Sequence, residues 1–113
     1  MIIRRGDVYF ARLGDERAEG ISETPVIVVS RDSLNQNSPV IVIVPVVEKT
    51  GKKRIYPSQA PIRAGDGGII VDSIALGEQV RAIDASRLGK QVGHLPVHTI
   101  AEISAVLRIV LDI

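Results

Sequence analysis

Lys49-Thr50-Gly51-Lys52-Lys53-Arg54 is the densest cationic run in the chain. Ammonium and guanidinium groups around a glycine suit an anion, and guanidinium offers a bidentate fork to phosphate oxygens. On composition this loop is the best phosphate-binding candidate; a solvated hairpin tip is the alternative. Other chemistry is poorly served. His94 and His98 are four apart, but Pro96 between them breaks the helical register that would align them, and no cysteine or close carboxylate cluster completes a metal set. Gly65-Asp66-Gly67-Gly68 lacks the following Lys-Ser/Thr of a P-loop and reads as a turn. No serine occupies a nucleophile-elbow motif. Arg4-Arg5 reads as a solubilising terminus.

The chain has 113 residues, 45% of them apolar, which predicts one domain over 1–113 with a real core. Aliphatic residues must carry that core, because the aromatics are only Tyr9, Phe10 and Tyr56. So few rings argue against a surface that binds single strands by stacking many bases, though not against binding in grooves and loops. A formal net charge of +1 supplies no global field toward nucleic acid, so any such contact must be local. The absence of cysteine fits a reducing cytosol. Val40–Val47 is apolar but far too short to span a bilayer. No signal-peptide pattern opens the chain. A soluble cytoplasmic protein with no membrane partner is expected.

Positioning these residues falls to short strands and one helix. Gly6–Leu13 reads as a strand with Val8 and Phe10 on one face and Tyr9 and Ala11 on the other. A polar, glycine-bounded loop follows. Pro25–Ser30 is a β-branched strand with proline at its first residue, where it is tolerated. Arg31–Ser38 reads as a polar connection. Pro39–Val47 is so rich in valine and isoleucine that both faces should be covered. Beyond the basic loop, Ile55–Pro57, Ile69–Val71, Ser73–Leu76 and Gln79–Ile83 read as extended, and Ser86–Leu95 as loop. Pro96 opens a terminal helix whose Ile100, Ile103, Val106, Leu107 and Val110 form one apolar stripe. Thr99 and Glu102 have capping-box spacing, although Thr99 can already lie inside the helix. The order implies a small, strongly curved sheet or partly open barrel closed by a helix, with excess apolar surface that a homodimer would cover.

Three segments carry a family resemblance. They are Arg5-Gly6-Asp7-Val8-Tyr9-Phe10; Pro25-Val26-Ile27-Val28-Val29 continued by Ser38-Pro39 and Val40–Val47; and Glu78-Gln79-Val80-Arg81-Ala82-Ile83-Asp84 with Arg87-Leu88. In this order they resemble the MazF/PemK toxin family over most of the chain. The resemblance implies a mainly β, SH3-like barrel with a C-terminal α-helix, assembled as a homodimer. It implies a metal-independent endoribonuclease without cofactor (an mRNA interferase) acting on single-stranded RNA. It further implies a cognate antitoxin whose tail covers the RNA groove. In such chemistry the 2′-hydroxyl attacks its own phosphate and leaves a 2′,3′-cyclic phosphate.

The family places an arginine immediately before the Pro-Val strand and a threonine at the end of the next long strand. Here those positions are Thr24 and Val47. Thr24 carries no charge and Val47 no polar group, so the active site is atypical. Candidates for the missing groups are Arg17 for the cation, Glu16 for the base and Thr50 for the hydroxyl. Lys52, Lys53 and Arg54 are further cations along the groove. Glu78, Gln79 and Arg81 match a segment beside the family's RNA groove; a structural hydrogen-bond cluster at a strand end is their other reading. Two functions follow: an endoribonuclease with a rearranged site, or a silent homologue that binds RNA or an antitoxin-like peptide. A structural homologue with an unrelated partner is the third.

Overall fold

The structure, a computed structural model, describes residues 2–14, 23–51 and 54–113. Glu16, Arg17, Lys52 and Lys53 therefore lie outside the described residues. The elements in order are β1 (Asp7–Arg12), β2 (Glu23–Val28), α1 (Asp32–Asn37), β3 (Val40–Glu48), β4 (Gln59–Ile62), β5 (Ser73–Leu76), β6 (Arg81–Asp84), β7 (Leu88–His94) and α2 (Val97–Leu111). The strands form one seven-stranded sheet in the order β4-β5-β3-β2-β1-β7, with β6 also on β3. Every pairing is antiparallel.

The valine- and isoleucine-rich strand β3 holds this arrangement together. Its first half, Val40–Ile43, pairs with β6; Ile43–Pro45 pairs with β2; Val46–Glu48 pairs with β5. Alternation sends Ile41 and Ile43 into one core cluster with Tyr9, Val26 and Val28. It sends Val44 and Val46 into a second cluster with Val8, Ile27, Ala60 and Ala75. Both faces of β3 are thus covered, as its composition predicts. The assignment of Val8 to one face of β1 and of Tyr9 and Ala11 to the other also holds.

Helix α2 lays its stripe on the second cluster, with Ile103 buried and Ile100, Val106 and Leu107 packed against it. Pro96 is its N-cap, and Thr99 lies inside the first turn, where its hydroxyl contacts an Asp66 carboxylate oxygen at 3.4 Å.

Several local expectations change. Arg31–Ser38 contains the helix α1 rather than an irregular connection. Asn35, buried beneath it, donates to the Ser30 carbonyl at 2.9 Å, and the Ser30 hydroxyl accepts from the Val42 amide at 3.0 Å. These bonds tie a polar turn to β3 without any apolar periodicity. Ser86–Leu95 contains strand β7, whose Gly89, Lys90, Gln91 and Gly93 give no strand signal. It is held by pairing with β1 from Asp7↔His94 to Ala11↔Leu88. Gly93 is required there, because a Cβ would come within 2.4 Å of the Gly67 carbonyl oxygen. The extended stretch after the basic loop forms its strand at Gln59–Ile62, not at Ile55–Pro57, and Ile69–Val71 is not in a strand.

The Asp7↔His94 pair is also bonded through its side chains, with His94 Nδ1 2.7 Å from a fully buried Asp7 carboxylate oxygen. The same carboxylate accepts from the Arg4 amide at 2.9 Å, which fixes the turn before β1. Nearby, the Tyr9 hydroxyl is the one buried side-chain polar atom without a hydrogen-bond partner among the described residues. It lies close to Asp7 but makes no bond of ordinary geometry. Burial, then the Asp7 charge, push its pKa above the ordinary 10.0. The raised folded value means the neutral phenol contributes fully below about pH 10 and its contribution is lost as pH rises through the folded value. Tyr9→Phe should therefore leave stability at pH 7 unchanged or slightly higher, within about 1 kcal/mol. It should also flatten the loss of stability above pH 10. Urea unfolding at pH 7 and pH 10.5 measures both; a loss of several kcal/mol at pH 7 contradicts the orphaned hydroxyl.

Candidate nucleic-acid interface

Two separate patches receive the residues singled out in the sequence. The first forms where β2 and β3 part. Their register runs from Val28↔Ile43 to Val26↔Pro45 and stops there. Continued by two residues it would set Thr24 opposite Val47. Pro45 has no amide hydrogen, and beyond it β3 pairs with β5 instead, Val47 opposite Ile74. The two positions thus stand on either side of the split.

A groove of about 540 Å³ opens at this split. It is lined by Phe10, Pro25 and Val47, by Ile69–Val71 and by Lys90–Val92 of β7, among others. Thr24 is not among the lining residues; among the described residues the charged members of that lining are Glu48 and Lys90. Among the described residues, a phosphate in this groove would meet one ammonium and mostly aliphatic carbon.

The second patch is polar and is assembled across long sequence separations. Lys49, Thr50, Gly51 and Arg54 are exposed beyond the end of β3. The Arg54 guanidinium lies over the Tyr56 ring, 5.6 Å from its centroid. Tyr56-Pro57-Ser58-Gln59 is a tight turn in which the Gln59 amide donates to the Tyr56 carbonyl at 2.9 Å. The Tyr56 amide donates to Gln59 Oε1 at 3.2 Å. From this turn the Ser58 hydroxyl donates to Glu78 Oε2 at 2.6 Å and Gln59 Nε2 donates to Glu78 Oε1 at 3.2 Å. Both carboxylate oxygens of Glu78 are therefore held, while Glu78 remains exposed.

The contact depends on Gly77, at the start of the 3₁₀ turn Gly77–Gln79. A Cβ there would stand 2.5 Å from the Ser58 carbonyl oxygen and 2.7 Å from Val106 Cγ1. Gln79 and Arg81 follow on the exposed side, Arg81 opposite Ile43 at the start of β6. At the other end of β6, Asp84 accepts from the Ser86 amide at 2.9 Å. Hydrogen bonding to Ser86 holds its carboxyl below the usual value.

The structure thus links the Arg54–Tyr56 stretch to Glu78 through Ser58 and Gln59, which sequence reasoning treated as separate stretches. Glu78 does belong to a hydrogen-bond cluster, and that cluster is part of the exposed basic patch. Ser58, Gln59 and Tyr56 were not singled out, nor were Phe10 and Lys90 as groove residues. Their only sequence signal was the Pro57 turn and a glycine before Glu78.

The curved antiparallel sheet with its terminal helix places the chain in a known class of small β proteins. It superposes with a TM-score of 0.79 on an endoribonuclease solved in complex with its cognate antitoxin from a mycobacterial species. That match has 19% identity and covers 98% of this chain and 96% of the other. It superposes with the same score on MazF from Deinococcus radiodurans, at 20% identity, over 100% of this chain and 99% of that one. In sequence it is 35% identical to endoribonuclease EndoA of Bacillus subtilis, covering 96% of this chain and 94% of the relative. It is 31% identical to endoribonuclease MazF9 of Mycobacterium tuberculosis, covering 99% and 98%. Residues 4–111 match the family of PemK-like, MazF-like toxins of type II toxin–antitoxin systems. The chain belongs to that family.

Gly77→Ala tests the built patch. The new methyl must push the turn off the Ser58 carbonyl and Val106, so stability should fall by about 1–3 kcal/mol in chemical denaturation. A variant as stable as the parent shows that the Glu78 turn is not held against Ser58 as described.

Proposed function

We propose that this chain is a toxin-type endoribonuclease with an atypical active site, cutting single-stranded RNA without a metal. The carrying observation is its identity to named endoribonucleases along nearly its whole length, at 35% and 31%. In the proposed reaction the 2′-hydroxyl loses its proton to a base as the O2′–P bond forms. The P–O5′ bond breaks, and the departing oxygen takes a proton from an acid. A 2′,3′-cyclic phosphate and a 5′-hydroxyl result. The nucleophile comes from the substrate, so no cofactor enters the scheme.

With Thr24 and Val47 at the family's arginine and threonine positions, the cation must come from elsewhere. Arg17 is the proposed phosphate ligand and Glu16 the proposed base, with Thr50 as the replacement hydroxyl. Lys52, Lys53, Arg54, Glu78, Gln79 and Arg81 form the proposed RNA-binding patch. The exposed apolar side chains Val97, Ile109 and Ile113 of the C-terminal region, and Ile70 at the groove rim, support a homodimer. A cognate antitoxin is the proposed protein partner and the cytoplasm the proposed location. Among the described residues no helix is long and apolar enough to cross a membrane.

One observation favours the second reading, a silent homologue that binds RNA or an antitoxin-like peptide. Among the described residues, the groove beside Val47 is lined mainly by apolar side chains and carries a single cation, Lys90. Such a surface suits a peptide better than a phosphodiester.

Incubating a long single-stranded RNA with the purified dimer in EDTA separates the readings. Cleavage leaving cyclic-phosphate ends, reduced roughly 10²–10³-fold by Arg17→Ala, supports the relocated site. Intact RNA at high enzyme concentration removes the enzyme reading. The double substitution Thr24→Arg and Val47→Thr then tests whether only those groups were lacking. Salt-dependent retention of RNA on a filter distinguishes an RNA-binding homologue from one that takes only a peptide.

A further inference from the structure

We infer that Tyr56 is a specificity-determining residue of the RNA site: a stacking platform for one unpaired base, backed by Arg54. The inference rests on the proposal that the chain binds RNA and names how one nucleotide is held.

The chain's three aromatic residues have different surroundings. Tyr9 is fully buried, Phe10 is half-buried in the apolar groove, and Tyr56 is 53% exposed. An exposed ring on a mobile loop would lose much of its binding energy to ordering. This ring is not so placed. Its backbone closes the Tyr56–Gln59 turn through two hydrogen bonds, with Pro57 restricting the chain inside it. The turn is in turn fastened to Glu78 by Ser58 and Gln59. The ring therefore starts from a fixed backbone, and little ordering remains to be done when a base arrives.

The electrostatics fit a nucleotide. The Arg54 guanidinium already lies over the Tyr56 ring at 5.6 Å, and Lys49 and Arg54 are exposed on the same loop. A base has a π-face for the ring, and the phosphate attached to it meets a guanidinium that does not titrate away. A peptide offers the ring only a side chain and leaves the cations without a partner unless it is acidic. Because stacking reads a π-face rather than hydrogen-bonding edges, the platform favours an unpaired nucleotide over a duplex and purines over pyrimidines.

The test uses a fluorescently labelled single-stranded RNA heptamer with 2′-O-methyl riboses, which blocks cleavage. Affinity is read by anisotropy in EDTA across a salt series. Tyr56→Ala should weaken binding roughly 5- to 150-fold, the range for loss of one base–ring stack. Tyr56→Phe should stay within about twofold of the parent, because the ring alone does the stacking. Neither variant should alter the salt slope, whereas Arg54→Ala should reduce it by roughly 0.7, the value for one phosphate contact on a single strand. Placing an abasic site at each position of the heptamer should reveal one position that costs the parent affinity and costs Tyr56→Ala none.

Equal affinity of Tyr56→Ala and the parent overturns the platform and leaves RNA binding standing. Equal losses for Tyr56→Phe and Tyr56→Ala also overturn it, since the hydroxyl or the turn would then be responsible. A parent that retains no heptamer at low salt overturns both the platform and the RNA reading. A Tyr56→Ala variant that loses an antitoxin peptide but keeps RNA assigns the ring to a protein partner and overturns the proposal. Unchanged thermal midpoints for the variants confirm that fold loss is not the cause of any change.

Discussion

Pro45 in the middle of β3 is the constraint on which the rest of the sheet depends. Proline cannot donate to a ladder, so at this position β3 offers a partner only its carbonyl. Pairing with β2 ends at Val26↔Pro45, and pairing with β5 begins one residue later at Val46↔Ala75. Since β6 occupies the first half of the same strand, one nine-residue segment serves three partners. The sheet curls around that segment. Its two faces feed two aliphatic clusters, one of which α2 covers. With few rings available, this shared strand is what makes a core of valine and isoleucine sufficient.

The same split creates the groove and decides its character. Thr24 and Val47 stand beside the parting of β2 and β3, where the register would otherwise have joined them. Around Val47 the chain supplies Phe10, Pro25, Ile69 and Val71, with Lys90 as the cation. Among the described residues, a cluster of exposed charge and hydrogen bonds lies beyond the end of β3, in the patch built from Arg54, Tyr56, Ser58, Gln59 and Glu78. The groove and the polar patch thus offer different chemistry among the described residues.

Strong periodicity was readable without coordinates. The alternation of Val8, Tyr9, Phe10 and Ala11, the double-sided burial of β3, and the stripe from Ile100 to Leu107 all depend on neighbours two to four residues apart. Elements stabilised from outside were not readable. Helix α1 is a polar turn held by Asn35 and Ser30. Strand β7 is glycine-rich and polar, and β1 holds it in line. Nothing in either segment's own pattern separates it from a loop, because the interactions that define it come from residues distant in sequence.

What the sequence determined by itself was the family, the mainly β class with a terminal helix, and an uncharged Thr24 before Pro25 and an apolar Val47 at the end of the Val40–Val47 run. All three are matters of residue type and order. Only the tertiary structure decided which residues meet. It joined the turn at Tyr56–Gln59 to Glu78 across 19 and 20 residues, and it paired Asp7 with His94 across 87. It also left Val47 against carbon rather than charge. Hydrogen bonds and grooves act over a few ångströms in space, and which parts of the chain come that close is settled by strand pairing and by the change of partner at Pro45.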